Sequence, residues 1–221
     1  MVFVMLVNKL RISGCLLVLF YLSTGWATLA NSHPHMWVDL KSRIVLRDDA
    51  RSPAINQEWL FDDFFSTALI EEAGLHPDGL EAGLQQEITE IMKNLKSYDY
   101  FTLVKRDGEP LPLTWIGQAN AEIRGNRVWM GFTVAIDSPI DLATQKFTYA
   151  IFDPTYYIEM FHAEGQTITF EGDAPVGCSA EIEQPNPSAD AIALSQSASL
   201  DANPDYTIGR LFAETVHVKC Q

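Results

Sequence analysis

The hydrophobic period changes twice along this chain, and those changes limit its possible folds more than any other feature. Over residues 37–46 apolar and polar side chains alternate, the period of a half-buried strand. Residues 48–53 then supply Asp, Ser and Pro for a turn, and residues 55–61 read as the hairpin partner. From Asp62 the spacing becomes helical. Phe64, Phe65, Ala68 and Leu69 fall on one predicted face, with Asp62 and Asp63 placed to cap the start. A second helix over 80–95 places Leu84, Ile88, Ile91 and Leu95 at intervals of three and four.

After Ser97 the period returns to two. Strands are predicted over 98–105 and 111–115 around an Arg106-Asp107-Gly108-Glu109 turn, and over 119–123 and 128–136 around Arg124-Gly125-Asn126-Arg127. Further strands are predicted over 146–152, 157–162, 167–170, 178–183 and 212–218. Residues 185–205 have the Pro, Ser, Ala and Asp content of a linker, although 189–200 carry helix-compatible spacing. The expected class is α+β: mainly antiparallel β, sandwich-like, with a helical insertion after the second strand. A chain of 221 residues, 47% of them hydrophobic, has the means for one sizeable core and is not a disordered protein.

Residues 1–32 stand apart from that pattern. Lys9 and Arg11 precede an apolar run over 15–22, and Ser23-Thr24-Gly25 follow it, the layout of a secretory signal peptide. The run is shorter than the roughly 18 residues a membrane-spanning helix needs, so no span is expected in the mature chain. Cleavage after Ala30 or after Ser32 satisfies the small-residue rule. A competing reading takes Ile12-Ser13-Gly14-Cys15 as a lipoprotein processing site with Cys15 acylated, but Asn8, Lys9 and Arg11 break the apolar run before it. The expected organisation is a signal peptide over 1–32 and a single periplasmic domain over 33–221. Without the first 32 residues, 13 basic residues face 29 acidic ones, a net charge near −16. Such a surface repels nucleic acid, and no nucleic-acid partner is expected. Cys178 and Cys220 remain, and in an oxidising compartment they read as one disulfide, stabilising by about 3–4 kcal/mol on the chain-entropy account. A thiolate metal pair is the alternative, without CxxC spacing to support it.

Two of the five histidines sit together where the folded part begins, in His33-Pro34-His35-Met36-Trp37-Val38-Asp39-Leu40. In an extended strand His33, His35, Trp37 and Asp39 share a face. Two imidazoles and a carboxylate on one edge suit zinc, nickel or copper, and imidazole ligands lose to protons as pH falls through roughly 6.5. The same pattern also fits polar residues on a solvated strand face. Either signal cut adds a free amine near His33, a further donor. His162 alternates with Met160 and Ile158 and reads as a core-edge residue; His217 reads as solvent-facing, and His76 as a turn residue before Pro77. The chain has no HExxH, GxSxG or P-loop, and nothing nominates a hydrolase nucleophile, so no enzymatic activity is expected.

The segments "HPHMWVDL", "EWLFDDFFS", "YDYFTLV", "FDPTYYIEM" and "IGRLFAETVHVKC" resemble, in that order, the successive landmarks of a bacterial periplasmic family classed as domain-of-unknown-function family 1007. The similarity runs over nearly the whole mature chain. Members resemble the ZevA-type accessory proteins of zinc uptake, whose genes often neighbour permeases of the nickel/cobalt (NicO) type. The resemblance implies a non-enzymatic periplasmic component of a divalent transition-metal transport system that works with an inner-membrane permease of that type. Zn(II) is the first expectation, with Ni(II), Co(II) or Cu(II) as alternatives. Carried over residue by residue, only the HPHxWxD segment suggests ligands: His33, His35 and Asp39. Phe152-Asp153-Pro154 and Tyr156-Tyr157 match as landmarks without an assigned role. The absence of a long His-rich tract argues against storage. Two other classes stay open: a copper-dependent oxidative enzyme built on an N-terminal His, and a metal-free structural partner subunit.

Overall fold

The computed structural model describes residues 34–46, 53–165, 167–172, 177–197 and 208–220. The expected signal peptide, Cys15, both cleavage positions, His33, most of the 48–53 turn and residues 198–205 of the linker-like segment lie outside them. The strands are β1 (Met36–Leu46), β2 (Pro53–Phe61), β3 (Thr102–Arg106), β4 (Glu109–Pro110), β5 (Leu113–Arg124) and β6 (Arg127–Ile136). They continue with β7 (Phe147–Ile151), β8 (Ile158–His162), β9 (Ile168–Gly172), β10 (Ser179–Glu183) and β11 (Thr215–Lys219). The helices are α1 (Asp63–Ala73) and α2 (Leu80–Leu95), inserted after β2 as expected, then α3 (Ala189–Ser197) and the single turn α4 (Ile208–Leu211).

Two sheets result, with strand orders β5-β6-β2-β1-β8 and β10-β11-β7-β3-β4. The alternation in β1 buries Val38, Leu40, Ile44 and Leu46, and pairs Leu40 with Trp59 and Ile44 with Ile55 across the antiparallel β1–β2 ladder. The other edge of β1 is shared by two short strands from much later in the chain. Both run parallel to it, β8 beside Met36–Leu40 and β9 beside Ser42–Leu46. All other pairings are antiparallel, so the α+β, mainly antiparallel expectation holds. Side chains of both sheets enter one core: Trp59, Phe61 and Phe132 from the first meet Val104, Phe147 and Val216 from the second, with Ile88 and Met92 added from α2.

Asp62 starts α1 as its position predicts, Oδ1 accepting from Phe65 N at 2.9 Å. The buried face is rotated from the expected one. Ser66, Leu69 and Ala73 point inward while Phe64 is 85% exposed. A serine is tolerated there because Ser66 Oγ accepts from Val128 N at 2.9 Å, satisfying a buried amide. Helix α2 follows its predicted bounds and packs so closely on α1 that a Cβ on Gly83 would lie 2.0 Å from Ala73 O. Gly83→Ala should therefore lower the unfolding free energy by about 1–3 kcal/mol despite alanine's better helix propensity, because the obstacle is backbone. Denaturant unfolding of the variant measures this, and a variant as stable as wild type would show that the helices separate at no cost.

Two predicted strands are corrected. The strand expected over 98–105 begins only at Thr102, because Asp99, Tyr100 and Phe101 turn in the left-handed region with φ of 50°, 54° and 54°. Left-handed backbone costs roughly 1–2 kcal/mol per residue outside glycine. In return Tyr100 is buried and the Phe101 ring stacks on Trp59 at 6.0 Å between centroids. The strand expected over 111–115 does not return beside β3. Only Glu109–Pro110 pairs there, with Leu111 N adding a bond to Val104 O at 3.0 Å, and the chain then crosses to the first sheet, where one long β5 joins residues 113–115 and the segment predicted at 119–123 through a bulge between Ile116 and Asn120. The expected disulfide is present: Cys178 and Cys220, 42 residues apart, close the end of the β10–β11 ladder.

Candidate functional site

Strand β1 presents Trp37, Asp39 and Lys41 on one exposed face, as its alternation predicts, and His35, just ahead of the strand, is exposed as well. Its first residues are held from both sides. On the β2 side, Asp62 Oδ2 accepts from Trp37 N at 3.0 Å while its other oxygen caps α1. On the β8 side, His35 N donates to Tyr157 O at 2.9 Å and the two rings lie 4.8 Å apart. One step along, Trp37 stands opposite Glu159, and its indole Nε1 donates to Glu159 Oε2 at 2.8 Å. The hydroxyl of Tyr156 donates to the other oxygen, Oε1, at 3.1 Å. Burial, with the charge and hydrogen bond of Glu159 added, pushes the Tyr156 phenol well above its ordinary value, so this O–H keeps its hydrogen.

The Phe152-Asp153-Pro154 landmark sets this geometry. Asp153 is buried, and its carboxylate accepts from Thr155 N at 2.9 Å and Ile158 N at 3.0 Å, folding the chain into the turn that opens β8. Tyr156 takes a φ of 59° in that turn and stacks on Phe212 at 4.0 Å. Gly209 is required beside it, since a Cβ there would lie 1.9 Å from Asp153 O. Two of the sequence landmarks thus meet here, and Asp153 is a turn-building residue.

Asp39 lies on the same exposed face as His35, but its Oδ2 accepts from Arg127 Nη1 at 2.7 Å. Arg127 also donates to Leu60 O at 2.8 Å and to Phe61 O, so this ion pair ties β6 to the end of β2. His33 lies outside the described residues. Among the described residues, no group of three or more His, Cys, Asp or Glu side chains is placed to hold a metal. His76 accepts from Asp78 N in the turn before α2, and His217 pairs with Glu183 across the β10–β11 ladder at 2.6 Å.

His162 is more deeply placed than the core edge expected for it: its side chain is 2% exposed. Its Nδ1 lies 2.7 Å from Glu214 Oε2, which also accepts from His162 N at 2.8 Å, while Gln184 Nε2 donates to Oε1 at 2.7 Å. Its Nε2 lies 3.1 Å from Ser42 Oγ, and Ser42 in turn is 2.7 Å from the Tyr149 hydroxyl. One assignment gives every hydrogen an acceptor: Tyr149 O–H to Ser42, Ser42 O–H to His162 Nε2, and His162 Nδ1–H to Glu214. Burial pushes the Tyr149 phenol up, with Ser42 partly offsetting it. Burial alone would raise the Glu214 carboxyl, but the hydrogen bonds from His162 and Gln184 outweigh it and hold the group below the usual carboxylate range. Ser42, His162 and Glu214 stand in the order of nucleophile, base and orienting carboxylate. Ser42 is only 3% exposed, however, and its oxygen also accepts from the buried Tyr149 hydroxyl, so the chain of bonds acts as a clasp joining β1 and β8 to the second sheet. Sequence reading missed it. The available signal was Ser42 itself, a polar residue in register with the buried Leu40 and Ile44.

The pattern of the family described as "Protein of unknown function (DUF1007)" matches residues 18–220. A Haemophilus influenzae relative described as "Uncharacterized protein" is 23% identical over 199 residues, covering 86% of this chain and 92% of the relative. With the family match spanning both sheets, the helical pair and the β1–β8 face, the chain belongs to the DUF1007 family.

Proposed function

We propose that this protein is an exported accessory component of a divalent transition-metal transport system, with Zn(II) as its first cargo and Ni(II), Co(II) or Cu(II) as alternatives. It works in the periplasm after removal of a signal peptide over 1–32, and hands metal to an inner-membrane permease of the NicO type. The observation that carries the reading is the place of His35, the described member of the HxH pair. His35 is exposed just ahead of β1, close to the start of the described chain, and Tyr157 positions its ring. A site with few protein ligands exchanges metal more readily than a closed four-ligand site, which suits delivery. Asp39 already has one oxygen paired with Arg127, so the reading rests first on His33 and His35 and less on Asp39. The disulfide is consistent with an oxidising compartment, and no helix of the described residues is long and apolar enough to cross a membrane.

Replacing His33 and His35 together by alanine should remove the tightest Zn(II) site while leaving the unfolding midpoint unchanged, since His35 is outside the core. Calorimetric titration of wild type and variant measures this. Equal zinc stoichiometry and affinity in both would sink the metal reading and leave the metal-free partner subunit in its place.

A further inference from the structure

We propose that the outer face of α1, with the cleft between α1 and α2, is a docking surface for a basic segment of a partner protein, one that carries an apolar side chain flanked by Lys or Arg. This surface is separate from the metal reading above and does not depend on it. Among the described residues, Phe64 at 85% and Leu75 at 78% are the most exposed large apolar side chains. Eleven residues separate them, three turns of helix to within about 20°. Gly74 in the right-handed helical region, with Leu75 N bonded to Glu72 O, carries the winding past Ala73. Both side chains therefore project from one side of α1, about 16 Å apart along the axis, with the exposed Ala68 and Glu71 between them. A single apolar side chain in solvent is ordinary, whereas two aligned on one helix face form a pair of anchors. Leu75 is also one wall of a cleft of about 390 Å³, completed by Glu72, His76, Pro77, Gln86 and Glu87.

The charge around the anchors decides what fits them. Residues 63–95 hold seven acidic side chains against one basic, Lys93, and that one is paired with Glu90 at 2.6 Å. Among the described residues no cation pairs with Glu71, Glu72 or Glu87. Two of these carboxylates are also misplaced for the helix that carries them. Glu71 and Glu72 stand in the last turn of α1, which has no basic residue, where the carbonyl end of the helix disfavours negative charge. They therefore oppose both each other and the helix dipole, and an ammonium or guanidinium brought in beside an apolar group relieves both. Anionic lipid is repelled by the same carboxylates, and a second copy of this chain would bring two faces of like sign together.

The test makes Phe64→p-benzoylphenylalanine, Leu75→p-benzoylphenylalanine and, as a control at an exposed residue of α4, Leu211→p-benzoylphenylalanine, each in the full chain expressed in its cells of origin and irradiated there. Expected from both anchors, and not from Leu211, is an adduct to one and the same protein, whose cross-linked peptide carries more Lys and Arg than Asp and Glu. Adding Glu71→Lys/Glu72→Lys should lower the adduct yield at least about tenfold. The same double variant should unfold at a midpoint no lower than wild type, since the new charges suit the helix end. An anchor without an adduct above the Leu211 background overturns the docking surface, as does a cross-linked peptide that is acidic or uncharged. A yield that falls less than tenfold on charge reversal overturns the basic chemistry of the partner. A dimer of this chain, or cross-linked lipid, as the product would put those occupants in its place. None of these results bears on zinc binding by His33 and His35, so the two proposals stand or fall separately.

Discussion

Glu214→Ala should lower the unfolding free energy by about 3–5 kcal/mol, the largest single-residue effect expected in this protein. The variant removes the acceptor of three N–H groups at once, His162 N, His162 Nδ1 and Gln184 Nε2, and leaves them in a site where the His162 side chain is 2% exposed. Glu214→Gln should cost much less, about 1 kcal/mol, because its amide oxygen can keep both bonds from His162 while Gln184 turns its own oxygen toward the new amide nitrogen. The pair of variants separates charge from geometry. A carboxyl held below its unfolded value stabilises the fold above that value, and the contribution disappears as pH falls through the folded-state value. Glu214 is such a group, so part of the wild-type stability should be lost as the medium is acidified below about pH 4.5, and that part should be missing in both variants. Urea unfolding between pH 3 and 7 tests this; an unchanged acid slope in Glu214→Gln would mean that other carboxyls carry the effect.

The second large effect concerns the disulfide. Cys178 and Cys220 close a loop of 42 residues, for which the chain-entropy relation gives about 4 kcal/mol. The doubly substituted Cys178→Ser/Cys220→Ser protein should unfold at correspondingly lower urea, and reduction of the wild type should reproduce the shift. Neither treatment should alter the zinc affinity proposed above, because β1 lies in the other sheet. A double variant within about 1 kcal/mol of wild type would show that the β10–β11 ladder and its Glu181–Lys219 and Glu183–His217 pairs already constrain the chain end without it.

Local pattern was legible and distant pairing was not. Period two placed β1, β2 and β6 within two residues of their bounds, and the spacing of Leu84, Ile88 and Leu95 marked α2. The failures have tertiary causes. Tyr98 to Phe101 alternates like a strand, yet burial of Tyr100 and the stack of Phe101 on Trp59 override that local preference. Helical spacing puts Phe64 on the same face as Leu69, whereas Ser66 holds the buried face through its bond to Val128. At the site, the outward alternation of His35, Trp37 and Asp39 was readable, but the partners that decide their roles were not. Glu159 lies 122 residues from Trp37 and Arg127 lies 88 from Asp39, and no local rule pairs residues over such separations. The same holds for Ser42, separated by 107 residues from Tyr149 and by 120 from His162.

The position of β11 between β10 and β7 sets the order in which the second sheet can be completed. A chain that emerges from its first residue onward has β7, β3 and β10 in hand well before residues 215–219 arrive, and two of those strands then face each other across a missing neighbour. Glu214 arrives with the same segment, so the clasp around His162 also stays open until then. Assembly of this half is therefore a terminal event and not a progressive one. A molecule halted short of Thr215 would carry two open strand edges, and at that stage its main hazard is pairing with another halted copy.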